Sequence, residues 1–247
     1  MATAQDRTVS VVLVTGSTSG IGLATARRFA GRGDTVVFNS AHSVEAGEHL
    51  AEITPNSHYV QADISQAADC TSLIADVLER FGKLDVLVNN AGTTKLIAHR
   101  DLEEASVDVW REIFEVNVFG TWQLSVAAMD ALKASHGSIV NVSSIAGLRP
   151  TGSSIPYAAS KAALNHMTVL LAKVVGPEVR VNAVAPGLID TPWTQGWDAV
   201  RGYVQGVAPL RRTGTADDVA EVIVALADSA YVTGQVVAVD GGLTIAT

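Results

Sequence analysis

Tyr157 and Lys161 stand four residues apart in Tyr157-Ala158-Ala159-Ser160-Lys161, at the head of an alanine-rich run. In a helix that spacing puts a phenol and an ammonium group on one face. Just upstream, Ser138-Ile139-Val140-Asn141-Val142-Ser143-Ser144 is an apolar, β-branched run ending in two serines. It predicts a buried strand delivering hydroxyls at its carboxyl end, where open α/β sheets bind ligands. A phenol with an ordinary pKa of about 10 is a poor proton shuttle at neutral pH, and a fixed positive charge nearby lowers it by favouring phenolate. The expectation is an acid–base site made of Tyr157, Lys161 and the hydroxyl of either Ser143 or Ser144.

Such a site needs a reaction partner, and the first third of the chain supplies one. Val9 to Val14 predicts a buried strand, Thr15-Gly16-Ser17-Thr18-Ser19-Gly20-Ile21-Gly22 a glycine-rich turn, and Leu23 to Gly31 a helix. Strand, turn and helix start in that order make a phosphate cradle: glycines let the backbone approach, and free amides at a helix N-terminus favour an anion. After a second strand, Thr35 to Asn39, the residues placed to meet an adenosine ribose are Ser40-Ala41-His42-Ser43. None is acidic, so nothing there repels a 2′-phosphate, which favours NADP over NAD. No arginine or lysine is present either, leaving Ser40, Ser43 and His42 as phosphate partners. A third strand, His58 to Ile64, carries Asp63 to where it can meet an adenine amino group, cap the next helix, or do both. Leu84 to Val88 is a fourth strand, followed by Asn89-Asn90-Ala91-Gly92, small residues against which a cofactor can lie.

These segments must be positioned by one alternating chain of strands and helices. A helical stretch from Glu103 to Leu132 contains Asn117 within Val116-Asn117-Val118-Phe119, either a satisfied core amide or a site residue. The Tyr157 helix runs to Val175, a sixth strand covers Val179 to Ala185, Pro186 to Thr191 turns away from it, and Ala216 to Ala227 and Val236 to Val239 close the series. That order predicts right-handed crossovers and a parallel sheet covered on both faces. Between them, Pro192 to Arg212 carries Trp193, Trp197 and Tyr203, the texture of a lid over an apolar pocket. The Tyr157 helix is apolar around most of its circumference and needs more cover than one sheet face provides, which predicts a homo-oligomer.

Composition narrows the function classes. The 247 residues are 48% hydrophobic and 17% charged, with 21 Gly and 7 Pro, as expected for one large globular domain rather than a disordered chain. A formal net charge of −8 argues against a nucleic-acid binder. Apolar runs are strand-length, too short for a membrane span, and the N-terminal tail is polar without a secretory pattern. The single cysteine, Cys70, reads as a small packing residue in a reducing cytoplasm. The six histidines lack paired metal-ligand spacing, so no metal is expected.

Taken together, Thr15 to Gly22, Asp63, Asn89 to Gly92, Asn117, Ser144, Tyr157-x-x-x-Lys161 and Pro186-Gly187 resemble the short-chain dehydrogenase/reductase family over essentially the whole chain, with a pattern similar to 3-oxoacyl-[acyl-carrier-protein] reductases. The resemblance implies a single-domain Rossmann-type α/β fold, a doubly wound seven-stranded parallel sheet with helices on both faces. It implies the catalytic set Asn117, Ser144, Tyr157 and Lys161, choosing Ser144 over Ser143 by its distance from the tyrosine. It implies a cofactor held by Gly16, Ser17, Thr18, Ser19, Ile21, Ser40, His42, Asp63, Ile64, Asn90, Ala91 and Gly92, by Tyr157 and Lys161, and by Pro186, Gly187, Ile189 and Thr191. Ser19 departs from the pattern, standing where many NADP-preferring members carry a basic residue. The implied substrate is a small carbonyl compound or secondary alcohol, free or acyl-carrier-linked, with Arg201, Arg211 and Arg212 as candidate contacts to an acidic carrier. The implied assembly is a tetramer or dimer.

Overall fold

The computed structural model of the protein describes residues 9–246; the stretch expected to be a polar tail, residues 1–8, lies outside them. Seven strands form one parallel sheet in the order β3-β2-β1-β4-β5-β6-β9: β1 Val11–Val14, β2 Thr35–Ser40, β3 Ser57–Gln61, β4 Val86–Asn89, β5 Ser138–Val142, β6 Arg180–Pro186 and β9 Val236–Val239. Alternate residues of each strand enter opposite cores. Val11 and Leu13 of β1 join one core, whereas Val12 and Val14 join the other, so both faces are buried and the strand reads as continuously apolar.

One face is covered by α3 (Ala67–Phe81), α5 (Thr121–Ala134) and α6 (Ile155–Val175), through residues such as Leu73, Leu124 and Leu171. The other is covered by α1 (Gly20–Gly31), α2 (Val44–Ile53) and α8 (Ala216–Asp228), through Phe29, Leu50 and Ile223. The chain leaves β1 towards β2 on one side and returns to β4 on the other, so a crevice opens at the carboxyl ends of β1 and β4. A two-residue parallel pair, β7 (Ile189–Asp190) with β8 (Gly214–Thr215), brackets the segment that carries α7 (Asp198–Val207), and α9 (Leu243–Ala246) follows the last strand. No helix among the described residues is long and apolar enough to cross a membrane.

Several expectations require correction. The strand expected over Val9 to Val14 begins at Val11. The strand expected over His58 to Ile64 ends at Gln61, leaving Ala62, Asp63 and Ile64 in a turn. Asp63 does not cap α3, whose cap position is Gln66; its Oδ1 instead accepts from the Ser65 amide at 3.0 Å, an Asx turn that competes with helix. The stretch from Glu103 to Leu132 is not one helix: α4 (Val107–Phe114) passes through a π-helical turn, Glu115–Gly120, before α5. Asn117 lies in that turn, and Gly120 packs so closely on the chain that an added Cβ would sit 2.7 Å from the Ile64 carbonyl oxygen.

Candidate active site

A cavity of about 920 Å³ opens at the carboxyl ends of the central strands. Its first wall is the loop between β1 and α1. Gly16 and Gly20 adopt positive φ (59° and 55°), and a Cβ on Gly22 would come within 2.5 Å of the Gly16 carbonyl oxygen and Asn90 Nδ2. Only glycine fits these positions without strain. Asn90 closes the same corner, its Nδ2 donating to the carbonyls of Thr15 (2.8 Å) and Gly16 (3.0 Å), while the amides of Asn90 and Ala91 donate to Thr15 Oγ1. Ser19 occupies the α1 cap position with its side chain making no capping bond, and the first turn holds no acid. The amides of that turn therefore point a partial positive charge at the cavity. A tight glycine cradle against an uncapped helix N-terminus fits the pyrophosphate of a dinucleotide.

Most predicted cofactor residues line this cavity: Gly16, Thr18, Ser19 and Ile21 at the cradle; Ser40 and His42 after β2; Asp63 and Ile64 after β3. Asn90, Ala91 and Gly92 after β4, and Pro186, Gly187, Ile189 and Thr191 after β6, line it too. Thr191 reaches back over the cradle, 3.5 Å from where a Cβ on Gly20 would stand. Ser17 is the exception. It is fully buried off the cavity wall, its amide donates to the Asn39 carbonyl at 2.9 Å, and its Oγ accepts from the Asn39 amide at 2.9 Å. Ser17 ties the loop to β2 and has no group free for a ligand. Ser40 is partly engaged as well, through the Tyr59 hydroxyl (2.9 Å) and the Ser43 amide (3.1 Å).

The reacting groups stand on β5, the turn after it, and the first turns of α6. Ser154 caps α6, its hydroxyl accepting from the Tyr157 amide, and Pro156 sits where a missing N–H costs nothing. Those caps set the rotation of Tyr157 and, one turn on, Lys161. The two serines that follow β5 separate cleanly. Ser143 Oγ turns inward and donates to the Lys161 carbonyl at 3.3 Å, whereas Ser144 Oγ accepts from the Ala146 amide at 3.1 Å and hydrogen-bonds the Tyr157 side chain. Lys161 is 5% exposed, donates to the Val142 carbonyl at 2.9 Å, and places Nζ 5.7 Å from the Tyr157 ring centroid.

The electrostatics differ from the sequence-based expectation. Burial pushes the Tyr157 phenol up to about 12, with the Ser144 hydrogen bond opposing it, and burial pulls Lys161 down to about 8. The lysine charge does not overcome the dehydration of the phenol, because both groups lose water in the same pocket floor. At neutral pH the pair is a protonated phenol beside a mostly charged ammonium, a proton donor to a carbonyl oxygen.

Asn117 does not line the cavity. Its side chain is fully buried, with Oδ1 accepting from the Thr93 amide (2.8 Å) and Nδ2 donating to the Thr93 carbonyl (3.0 Å) and Ser160 Oγ (3.0 Å). It latches the loop after β4 to α6, holding Gly92 beside Lys161: a Cβ there would be 3.2 Å from Asn117 Oδ1 and 3.6 Å from Lys161 Nζ. The sequence reading missed Thr93 and Leu96 in the loop after β4 and Thr151, Gly152 and Ser153 before α6, which also line the cavity; the two stretches are joined by the Ile97 amide donating to the Ser153 carbonyl at 2.8 Å. Gly152, with φ of 123°, was the available signal for the second of these. Cys70 is buried in the α3 core with its thiol pushed up to about 11, an inert packing residue. Two of the three arginines weighed as carrier contacts are paired within the chain, Arg201 with Asp190 and Asp198, and Arg212 with Asp218.

Residues 16–244 match the family described as Enoyl-(Acyl carrier protein) reductase. The chain is 56% identical over 236 residues to a protein named as ketoacyl reductase 2 of the granaticin polyketide synthase of Streptomyces violaceoruber, covering 94% of this chain and 95% of that one. It is 39% identical to the 3-oxoacyl-[acyl-carrier-protein] reductase of Thermotoga maritima, covering 95% and 98%. Among solved structures it superposes on a short-chain dehydrogenase/reductase from Burkholderia xenovorans with a TM-score of 0.89, at 37% identity, over 97% of this chain and 100% of that one. It also superposes on the aldohexose dehydrogenase of Thermoplasma acidophilum with a TM-score of 0.88, at 31% identity, over 97% and 95%.

Proposed function

The chain belongs to the short-chain dehydrogenase/reductase family, nicotinamide-dependent oxidoreductases, and we propose that its 247 residues act as one domain reducing a ketone to a secondary alcohol with NADPH as the favoured cofactor. The observation that carries this reading is the Ser144–Tyr157–Lys161 set lining the same cavity as the glycine cradle. A nicotinamide dinucleotide held by the Gly16–Gly22 cradle and by the residues that follow β2, β3, β4 and β6 would supply the hydride. Ser144 holds the substrate oxygen by a hydrogen bond, and Tyr157 gives that oxygen its proton. Lys161 lies below the phenol and stabilises the phenolate left behind. Asn117 is a positioning residue, holding the loop after β4 against α6. The segment 190–212, carrying α7, is the lid that closes over the substrate.

NADP is favoured because no acid occupies residues 40–43 to repel a 2′-phosphate, leaving Ser43, His42 and the local amides to meet it. NAD use remains the alternative, and a kcat/KM ratio near one between the two cofactors would settle it that way. The relatives' names favour a ketoacyl substrate, free or carrier-linked; the internally paired Arg201 and Arg212 favour a free one. We also propose a homo-oligomer, dimer or tetramer. Phe119 in the π-helical turn, Trp122 and Val126 on α5, and Val169, Leu170 and Val174 on α6 are exposed apolar side chains on the helix layer of one sheet face, which light scattering would show to be covered by a second copy.

The test is Tyr157→Phe. Turnover of ketones should fall by about 10³-fold or more while the cofactor dissociation constant changes less than about threefold. Turnover near the wild-type rate would remove Tyr157 from the role.

A further inference from the structure

The lid offers aromatic faces with nothing stacked on them. Trp193, Trp197 and Tyr203 all line the cavity, and Trp193 and Tyr203 remain 46% and 56% exposed. Among the described residues the paired rings are His58 with Phe81, Trp110 with Phe114 and Phe114 with Phe119, and the cations over rings are Arg32 on Phe29 and Lys161 on Tyr157. No lid ring is in either set. Large side chains left half bare on a concave wall, instead of packed on the body, are the usual mark of a surface completed by a ligand.

The charges point the same way. Among the described residues, and beyond Lys161, no unpaired cation lines the substrate end of the cavity: Glu112, the carboxylate on that wall, pairs with Lys95 at 2.5 Å, and Arg201 on α7 pairs with Asp190 at 2.7 Å and donates to the Thr194 carbonyl. A substrate carboxylate or phosphate would find no partner there, and a polyol would leave hydroxyls facing indole and leucine. Leu96, on the loop after β4, adds a further apolar side chain to the lining. Resting on the reductase reading above, we propose that the site selects an uncharged ketone carried on a flat fused ring system, held between the lid aromatics and the loop bearing Leu96.

The experiment compares 2-tetralone, the linear pentan-2-one and the ketose fructose by NADPH oxidation, and measures 2-tetralone binding separately by quenching of tryptophan fluorescence. The expected result is a kcat/KM for 2-tetralone at least about tenfold above pentan-2-one, with no detectable turnover of fructose. In Trp193→Ala and Tyr203→Ala the KM for 2-tetralone should rise about fivefold to tenfold with kcat within about threefold, a larger rise than for the linear ketone, and Trp193→Phe should restore most of the loss. Equal or better turnover of the linear ketone or the sugar, or equal losses for ring and chain in the variants, would overturn the inference while leaving the reductase reading intact. Quenching without turnover would support the ring-binding inference and count against the reductase reading. The absence of both would overturn the inference.

Discussion

Lys161→Met should make the protein more stable at neutral pH while removing its activity. In the folded chain burial lowers the Lys161 pKa from 10.5 to about 8. A fall of about 2.5 at about 1.36 kcal/mol each means that holding the ammonium in the pocket floor costs about 3 kcal/mol at pH 7. Methionine fills similar volume without that cost, but it leaves the Val142 carbonyl without its 2.9 Å partner, a loss of about 1 kcal/mol. The net gain is about 2 kcal/mol, or about 4–8 °C in Tm for a domain of this size. The sign with pH follows from a base whose folded pKa lies below its unfolded one. The penalty is fully present below pH 8, where both states are protonated, and decays between 8 and 10.5 as the folded lysine gives up its proton first. At pH 9.5 about 1 kcal/mol of penalty is left, matching the lost hydrogen bond, and the advantage of the variant should vanish. Tyr157 does not confuse the comparison, since its folded pKa is raised to about 12 and its own effect begins only above pH 10. Urea denaturation of both proteins at pH 7.0 and 9.5 measures the difference directly. A methionine variant no more stable than wild type at pH 7, or an advantage of the same size at both pH values, would refute the reasoning.

Other consequences are as concrete. Ketone reduction should lose kcat/KM as pH rises through about 8, where the Lys161 charge that supports the developing phenolate disappears; a kcat/KM profile flat to pH 10 would contradict this. Ser17→Ala should cost about 1–2 kcal/mol in urea denaturation while shifting the cofactor dissociation constant less than about threefold, since the hydroxyl serves Asn39 and not the cavity. Gly22→Ala should weaken cofactor binding by about tenfold or more in fluorescence titration, because its Cβ would stand 2.5 Å from the Gly16 carbonyl and force the cradle open.

The pattern of local signals in the chain was enough for the architecture and for much of the site. Apolar strand runs alternating with amphipathic helices dictate a parallel sheet, a glycine-rich turn between β1 and α1 dictates an anion cradle, and an i, i+4 spacing puts Tyr157 and Lys161 side by side whatever surrounds them. These are short-range facts, carried by residues within a few positions of one another. Tertiary structure decided what depends on partners distant in sequence. Ser143 and Ser144 look alike in the chain, and only the packing of β5 on α6 turns one towards the Lys161 backbone and the other towards the Tyr157 phenol. Ser17 reads as a cofactor contact, and Asn117 as either a core amide or a site residue, until the fold brings up Asn39, Thr93 and Ser160 to claim their side-chain polar atoms. The direction of the Tyr157 shift was misjudged for the same reason: a charge four residues away is visible in sequence, but the loss of water that outweighs it is a property of the assembled pocket.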